Sequence, residues 1–375
     1  MIAARISNLT ESPVREILKV IDQPGMISFA GGLPAAECFP QLNWSGVGQE
    51  YLQYGPSEGE HELREQVAAV LCERGLPTRA DRVLILSGSQ QGIDLVAKLM
   101  IETATKVAVE SPTYLAALQA FDLFGARYSA FEPSEPDLAG ASLSYTIPTF
   151  QNPTGHCYTR QQRQDLALAC DRTGCVLFED DPYRELAYSE CDRTPVCSYI
   201  DNAPWIYQSS FSKTYAPGLR LGYLTCSDAL FPHLVRLKQA ADLHSCRVSQ
   251  RLVTDLLGNS DSSYAEHISF YRDRRDYFNQ VLHQHFSDIA QWSVPAGGLF
   301  FWLKLKPAYS VDTRLLLQRA ISEGVAFMPG ESFYPSGSSP VPSLRLNFSH
   351  APGDLVEPGL ARLAEIFKST GEGRV

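Results

Sequence analysis

A chain of 375 residues, 44% hydrophobic and 20% charged, has the material for a large buried core and for two or three structural units. Its formal net charge is -10 and it holds no basic run of five or more residues, so a phosphate backbone is not an expected partner and no nucleic acid binding is anticipated. No stretch approaches the roughly 18 apolar residues of a membrane span, and the opening MIAARISNLTESPVRE lacks the apolar centre of a signal peptide, so no membrane contact and a cytoplasmic location are expected.

In chain order, Ser12-Pro13 is a helix start, and Val14, Ile17, Leu18 and Ile21 then recur at helical spacing until Pro24-Gly25. A short amphipathic helix is predicted there. The Gly- and Pro-rich run from Met26 to Pro40 reads as a loop or extended arm crossing the surface. From about residue 60 to 225, apolar runs at Val83-Leu86, Val107-Val109, Ser144-Pro148, Cys175-Phe178 and Trp205-Tyr207 alternate with longer, helix-compatible segments. That alternation predicts an α/β unit whose mostly parallel sheet is covered by helices. Residues 230 to 285 are helical in pattern, the charged stretch Tyr271 to Tyr277 reading as a solvated helix face. Beyond it, Pro295-Ala296-Gly297-Gly298 leads into a strand at 299–303, followed by a helix near 312–323, a strand at 343–348 and a last helix near 354–369, which together read as a smaller α+β unit. The nine cysteines are odd in number with no Cys-x-x-Cys spacing, so they are read as reduced thiols, and no metal is expected.

Polar clusters follow several of the predicted strands, where an open parallel sheet binds its ligands. Ser87-Gly88-Ser89-Gln90 stands between a strand and a helix, so its free N–H groups and the positive helix end suit a phosphate; alone it is equally a plain turn. Tyr114 is suited to stacking on an aromatic ring, or simply to packing. Asn152 can donate to a phenolic oxygen, or belong to an ordinary Asn-Pro turn. Asp180 and Tyr183, in Glu179-Asp-Asp-Pro-Tyr183, suit a protonated ring nitrogen and a ring oxygen. In Ser210-Phe-Ser-Lys-Thr-Tyr-Ala-Pro-Gly-Leu-Arg220, Lys213 is the primary amine that a Schiff base requires, while Ser210 and Arg220 can serve a phosphate, the Pro-Gly turn bringing arginine and lysine together.

These clusters occur in the order of the class I/II aminotransferases of fold type I. The sequence resembles that pyridoxal phosphate-dependent family over nearly its whole length. It is most similar to the 2-aminoadipate/kynurenine branch through Ile27-Ser-Phe-Ala-Gly-Gly-Leu-Pro34, Leu52-Gln-Tyr-Gly-Pro-Ser-Glu-Gly59, Glu179-Asp-Asp-Pro-Tyr183 and Gly297-Gly-Leu-Phe-Phe-Trp302. The resemblance implies a large domain at 46–275 with a seven-stranded sheet sandwiched by helices, a small α+β domain at 276–375, and an N-terminal helix and arm at 1–45 that joins the small domain and lids the substrate. It implies pyridoxal 5'-phosphate as cofactor, with catalytic Lys213 as Schiff base and proton shuttle, Asp180 on the ring nitrogen and Tyr114 stacked on the ring. Asn152 and Tyr183 would bond the ring oxygen, and Ser89, Gln90, Ser210 and Arg220 would hold the phosphate. Tyr54 would reach the phosphate of the neighbouring subunit, which requires a homodimer with shared active sites.

On the substrate side, the resemblance makes Arg345 the α-carboxylate ligand, with Gly32 and Asn152 beside it, and Arg15 a reader of a side-chain carboxylate; a surface ion pair with Glu11 or Glu16 is the plainer reading of Arg15. The implied reaction is ping-pong transamination from an L-amino acid, whether 2-aminoadipate, glutamate, aromatic or aliphatic, to a 2-oxo acid, with 2-oxoglutarate the expected acceptor. The same fold serves β-lyases, decarboxylases and racemases, and the sensor domain of some regulators. A regulator of that kind is expected to begin with a basic winged helix, whereas this chain reaches its arm motif by residue 27.

Overall fold

The computed structural model describes residues 2–3, 5–6, 23–259 and 263–371. The helix expected over 14–21, and Arg15 with it, lie outside these residues. The first part of the arm that follows, residues 27–30, runs through the interior instead of crossing the surface, while Ala36, Glu37 and Phe39 further on are exposed. Ile27–Ser28 forms β1, which pairs in parallel with Val325–Ala326, and Phe29 has no exposed surface at all. Burial of this backbone is possible because its polar groups find partners: Phe29 N donates to Ala326 O at 2.8 Å and Asn347 N donates to Phe29 O at 2.8 Å.

All five apolar runs between residues 60 and 225 become strands, and two further strands complete the sheet. After α1 (His61–Glu73) come β2 (Val83–Leu86), α2 (Ser89–Met100), β3 (Lys106–Glu110), α3 (Leu115–Asp122), β4 (Arg127–Phe131), β5 (Leu143–Thr146), α4 (Arg160–Thr173), β6 (Val176–Asp180), β7 (Trp205–Ser210) and β8 (Gly222–Cys226). The sheet order is β2-β8-β7-β6-β5-β3-β4, with β8 antiparallel to both neighbours and every other pair parallel. Strand alternation divides the side chains between two cores. Val83, Ile85, Ala108, Leu177 and Tyr207 pack with Leu63 and Val67 of α1 and Leu166 of α4 on one face; Leu84, Leu86, Val107, Val109 and Phe178 pack with Ile93 and Val96 of α2 and Phe121 of α3 on the other. The ends of α4 show how locally such a helix is specified. Thr159 and Gln162 close a capping box, and Gly174, at φ 69°, takes the left-handed conformation that stops the helix before β6.

Three helices follow: α5 (Phe231–Asp242), α6 (Arg247–Gly258) and α7 (Ser263–Phe286). In the charged stretch of α7, Arg272, Asp273, Asp276 and Tyr277 form the solvated face, while Tyr271 and Arg275 turn inward and are buried. Tyr271 Oη accepts from Ala35 N at 3.0 Å and Arg275 Nη1 donates to Pro295 O at 3.1 Å, so one side of the helix seats the arm and the next loop. A second, antiparallel sheet is built from β9 (Ala290–Gln291), β10 (Phe300–Leu305), β12 (Met328–Pro329) and β13 (Ser343–Asn347), in the order β12-β13-β10-β9, with α8 (Thr313–Ser322) leading to β11 (Val325–Ala326), the partner of β1. The last helix, α9 (Gly353–Gly371), packs against α7, and Leu360, Leu363 and Phe367 join Phe300 and Phe301 of β10 in one core.

Candidate active site

The carboxyl ends of β2, β3, β5, β6 and β7 open towards β13 of the second sheet. Eleven of the residues singled out from sequence, namely Gly32, Ser89, Gln90, Tyr114, Asn152, Asp180, Tyr183, Ser210, Lys213, Arg220 and Arg345, line a single cavity of about 260 Å³ between them.

One end is built for an anion. After β2 the chain turns at Gly88, whose φ of +81° disfavours any side chain, and a Cβ there would stand 2.5 Å from Arg220 Nη2. The missing side chain lets the Arg220 guanidinium lie against the first turn of α2, where Ser89 and Gln90 present backbone N–H groups not yet used by the helix. Arg220 itself has φ +51°, a left-handed residue closing the Pro217–Leu219 turn. Ser210, the last residue of β7, completes this end. Behind it lies a network the sequence did not reveal: buried Lys238 Nζ donates to Gln91 Oε1 at 2.7 Å, to Ser245 Oγ at 2.8 Å and to Asp242. Ser87 Oγ donates to the same Asp242 carboxylate at 2.7 Å, which braces the turn from below.

At the other end, Arg345 of β13 is only 4% exposed. Its Nη1 donates to Asn152 Oδ1 at 2.8 Å and its Nη2 to Ala30 O at 2.7 Å, the guanidinium lies 4.1 Å over the Phe300 ring, and Nε has no partner among the described residues. Among the described residues no carboxylate offsets this buried charge, and burial pulls its pKa down to about 10. Such a group invites an anion. Asn152 Nδ2 in turn donates to Tyr183 Oη at 3.4 Å.

Between these ends lies the amine. Lys213 Nζ donates to the Gly32 carbonyl at 2.6 Å, and burial, helped by the charges of Arg345 and Arg220, lowers its pKa from 10.5 to about 8, so that about a tenth of it is the nucleophilic neutral form at pH 7, against well under a thousandth for an ordinary lysine. Asp180, also buried, is lifted to about 7 chiefly by burial. Tyr145 Oη donates to its Oδ2 at 2.9 Å, while Oδ1 is buried and has no hydrogen-bond partner among the described residues. Tyr145 was missed from sequence, although it stands two residues before the cavity-lining Ile147. Gln208, paired in register with Asp180 and two residues before Ser210, was missed too, though strand alternation puts it on the same side as Ser210.

These residues fit pyridoxal phosphate. An unpartnered, desolvated carboxyl oxygen is what a protonated ring nitrogen would satisfy, a depressed amine is what an aldehyde would condense with, and the Gly88–Arg220 cradle at a helix start is what a phosphate would fill. One expected residue is elsewhere. Tyr54 is 77% exposed, its ring 5.8 Å edge-on from that of His244, and it does not line the cavity of its own chain. Arg15 lies outside the described residues.

Comparison with known proteins agrees with this geometry. The family described as aminotransferase class I and II matches residues 30–363. An aromatic-amino-acid aminotransferase of Thermococcus litoralis is 33% identical over 95% of this chain and 91% of its own length, and a 2-aminoadipate transaminase of Thermus thermophilus is 34% identical over 95% and 94%. The crystal structure of a Pyrococcus horikoshii kynurenine aminotransferase superposes with a TM-score of 0.90 at 30% identity, covering 99% of this chain and 97% of that one. With the same fold, near-complete coverage and a cavity suited to the cofactor, the chain belongs to the class I and II aminotransferases, enzymes that transfer amino groups with pyridoxal phosphate.

Proposed function

We propose that the enzyme carries its cofactor on Lys213 and takes the amino group of an L-amino acid with an acidic or aromatic side chain, passing it to 2-oxoglutarate. The observation that carries this reading is the arrangement of two buried cations in one cavity: the depressed Lys213 amine, and the Arg345 guanidinium with its unpartnered Nε. Arg345 would grip the α-carboxylate in a bidentate pair, which orients the amino group and Cα proton towards Lys213. Freed of the cofactor, the Lys213 amine would take the Cα proton and return it at the other carbon, as a general base tuned near neutrality. When bound, pyridoxal phosphate supplies the electron sink that makes that proton acidic. Asp180 would stay ionised beside the ring cation, Tyr114 would cover the ring face, and Asn152 and Tyr183 would hold its oxygen. Ser89, Gln90, Ser210 and Arg220 would hold the phosphate.

In this reading residues 46–275 form the cofactor-binding unit and 276–375 the smaller one, with 1–45 as arm and lid. The enzyme works as a cytoplasmic homodimer in which Tyr54 serves the partner's phosphate. The substrate class draws on two relatives, one named for aromatic amino acids and one for 2-aminoadipate, and on the sequence position of Arg15. The test is a donor panel with 2-oxoglutarate. Glutamate, 2-aminoadipate and phenylalanine should each yield a 2-oxo acid, and without acceptor the reaction should stop after one equivalent per site. Arg15→Ala should reduce kcat/KM with 2-aminoadipate about ten- to hundredfold and with leucine far less, the loss of a charge-assisted hydrogen bond. Equal losses with both donors would remove Arg15 from the site.

A further inference from the structure

Away from the cavity, one cluster has a chemistry that transamination does not use. Arg163 of α4 has no exposed surface, and its donors go to Tyr158 O at 3.2 Å, Thr194 O at 3.0 Å, Pro148 O at 2.9 Å, Asp192 O at 2.8 Å and Thr149 Oγ1 at 3.1 Å. All five acceptors are neutral. Its remaining contact is Cys157 Sγ, 3.7 Å from Nη2, so among the described residues the one acid that directly touches this buried guanidinium is a thiol. A buried cation favours the ionised form of such a neighbour. Cys157 Sγ also sits 3.4 Å from the carbonyl of Asp192, the chain neighbour of Cys191, and both cysteines pack on the same core. Both are partly exposed, so a small oxidant has access.

We propose that Cys157 and Cys191 form an oxidisable dithiol pair, in which the Cys157 thiolate reacts first with a peroxide and Cys191 then closes a disulfide. In the first step the Cys157 sulfur takes an oxygen from hydrogen peroxide, giving a sulfenic acid and one water. In the second the Cys191 sulfur attacks the Cys157 sulfur, the S–S bond forms, and the hydroxyl leaves with the Cys191 proton as a second water. Two thiols and one peroxide thus become one disulfide and two waters, and a dithiol reductant reverses it.

The electrostatics around Cys157 agree with that order. Hydrogen bonding from the neighbouring thiol favours the Cys157 thiolate, burial opposes it, and the Arg163 guanidinium beside the sulfur favours it further. Cys191 is shifted upwards, by Cys157 and by burial. Arg193 also acts on Cys191, and the Asp192 carboxylate, next to Cys191 in the chain, is paired with Arg160. The pair spans two loops that Arg163 already ties together. One runs from Pro148 to Tyr158 and carries Asn152, and the other holds Asp192 and Thr194, so the oxidised link would fix the base of the Asn152 turn to its neighbour.

The holoenzyme treated with sub-stoichiometric to equimolar hydrogen peroxide, alkylated and mapped without reduction tests this. Expected is a cross-linked peptide joining Cys157 to Cys191, formed at least about tenfold faster than oxidation of the exposed Cys72 and Cys246, and reversed by dithiothreitol. In Cys191→Ser, Cys157 should be trapped by dimedone as a sulfenic acid; in Cys157→Ser, Cys191 should stay reduced at the same dose. Oxidation falling on Cys72 and Cys246 while Cys157 survives overturns the proposal. So does a Cys157 sulfenic acid in the unsubstituted enzyme that never links to Cys191.

Discussion

Arg345 Nη1 donates to Asn152 Oδ1 at 2.8 Å, a bond that ties the antiparallel sheet to the turn after β5 across the mouth of the cavity. The pair sits where a substrate carboxylate would enter, and it leaves the guanidinium Nε without a partner. Arg345→Met should therefore raise KM for both amino acid and 2-oxo acid and lower kcat/KM by about 10²- to 10⁴-fold, the loss of a bidentate charge-assisted pair. The visible absorbance of the bound cofactor should persist. Steady-state kinetics beside an absorbance spectrum checks this, and loss of the cofactor along with activity would move Arg345 from substrate to cofactor.

Asp180 gives a prediction with opposite signs in the empty and loaded protein. Burial lifts its pKa to about 7, so from about pH 4 to 7 the folded apoprotein holds a proton that the unfolded chain releases. Its contribution to apoprotein stability is fully present below about pH 4 and is lost as the pH rises through 7. Asp180→Asn apoprotein should thus be more stable than the unsubstituted apoprotein at pH 8, by on the order of 2–4 kcal/mol, with the difference shrinking towards pH 4. Cofactor affinity should fall at least about tenfold, because the amide cannot hold a ring cation. Thermal melts across pH, with and without pyridoxal phosphate, report both effects. A substituted apoprotein less stable at pH 8 would contradict the account.

At the anion end, Gly88→Ala offers a test by crowding. The methyl group would meet Arg220 Nη2 at 2.5 Å on a backbone at φ +81°, so the guanidinium must leave the start of α2. Affinity for pyridoxal phosphate should drop about ten- to hundredfold, and Arg220→Ala should show a loss of the same order. Excess cofactor should restore activity in both. A fluorescence titration of apoprotein with cofactor measures this, and unchanged affinity in either variant would place the phosphate elsewhere.

Where the sequence could be read and where it could not follows a physical division. Lys213, Asp180 and the Ser87–Gln90 turn were legible because each stands just after an apolar run, where a parallel sheet binds ligands, and because their chemistry has few substitutes. The strand β4 was not, since Arg127 and Ala130 are exposed at the sheet edge and its side chains lack an apolar signature. Nor was β8, whose Gly222-Tyr-Leu-Thr-Cys226 owes its burial to lying between β2 and β7. The arm at 27–30 has the composition of a surface loop, and only long-range partners at 324–326 and 347 bury it. Tyr145 and Lys238 act through residues distant in sequence, Asp180 at one and Ser87 at the other, and such pairings have no local pattern to read.

Tyr54 carries the last prediction, because it lies outside the cavity of its own chain. The ring is 77% exposed beside His244, while Arg247 Nη1 donates to the carbonyls of Gln53 and Tyr54 and holds the segment in place. A large aromatic held outward by a buttressed backbone, absent from the cavity it is expected to serve, fits a site completed by a second copy. Mixing makes this measurable. Lys213→Ala homodimers should be inactive, and Tyr54→Ala homodimers should bind the cofactor weakly. Co-expressed heterodimers hold one site with Lys213 from one chain and Tyr54 from the other, so that site should regain full cofactor affinity and unsubstituted turnover. If each chain supplied its own tyrosine, no heterodimer would contain an intact site, and activity would not exceed the average of the two homodimers.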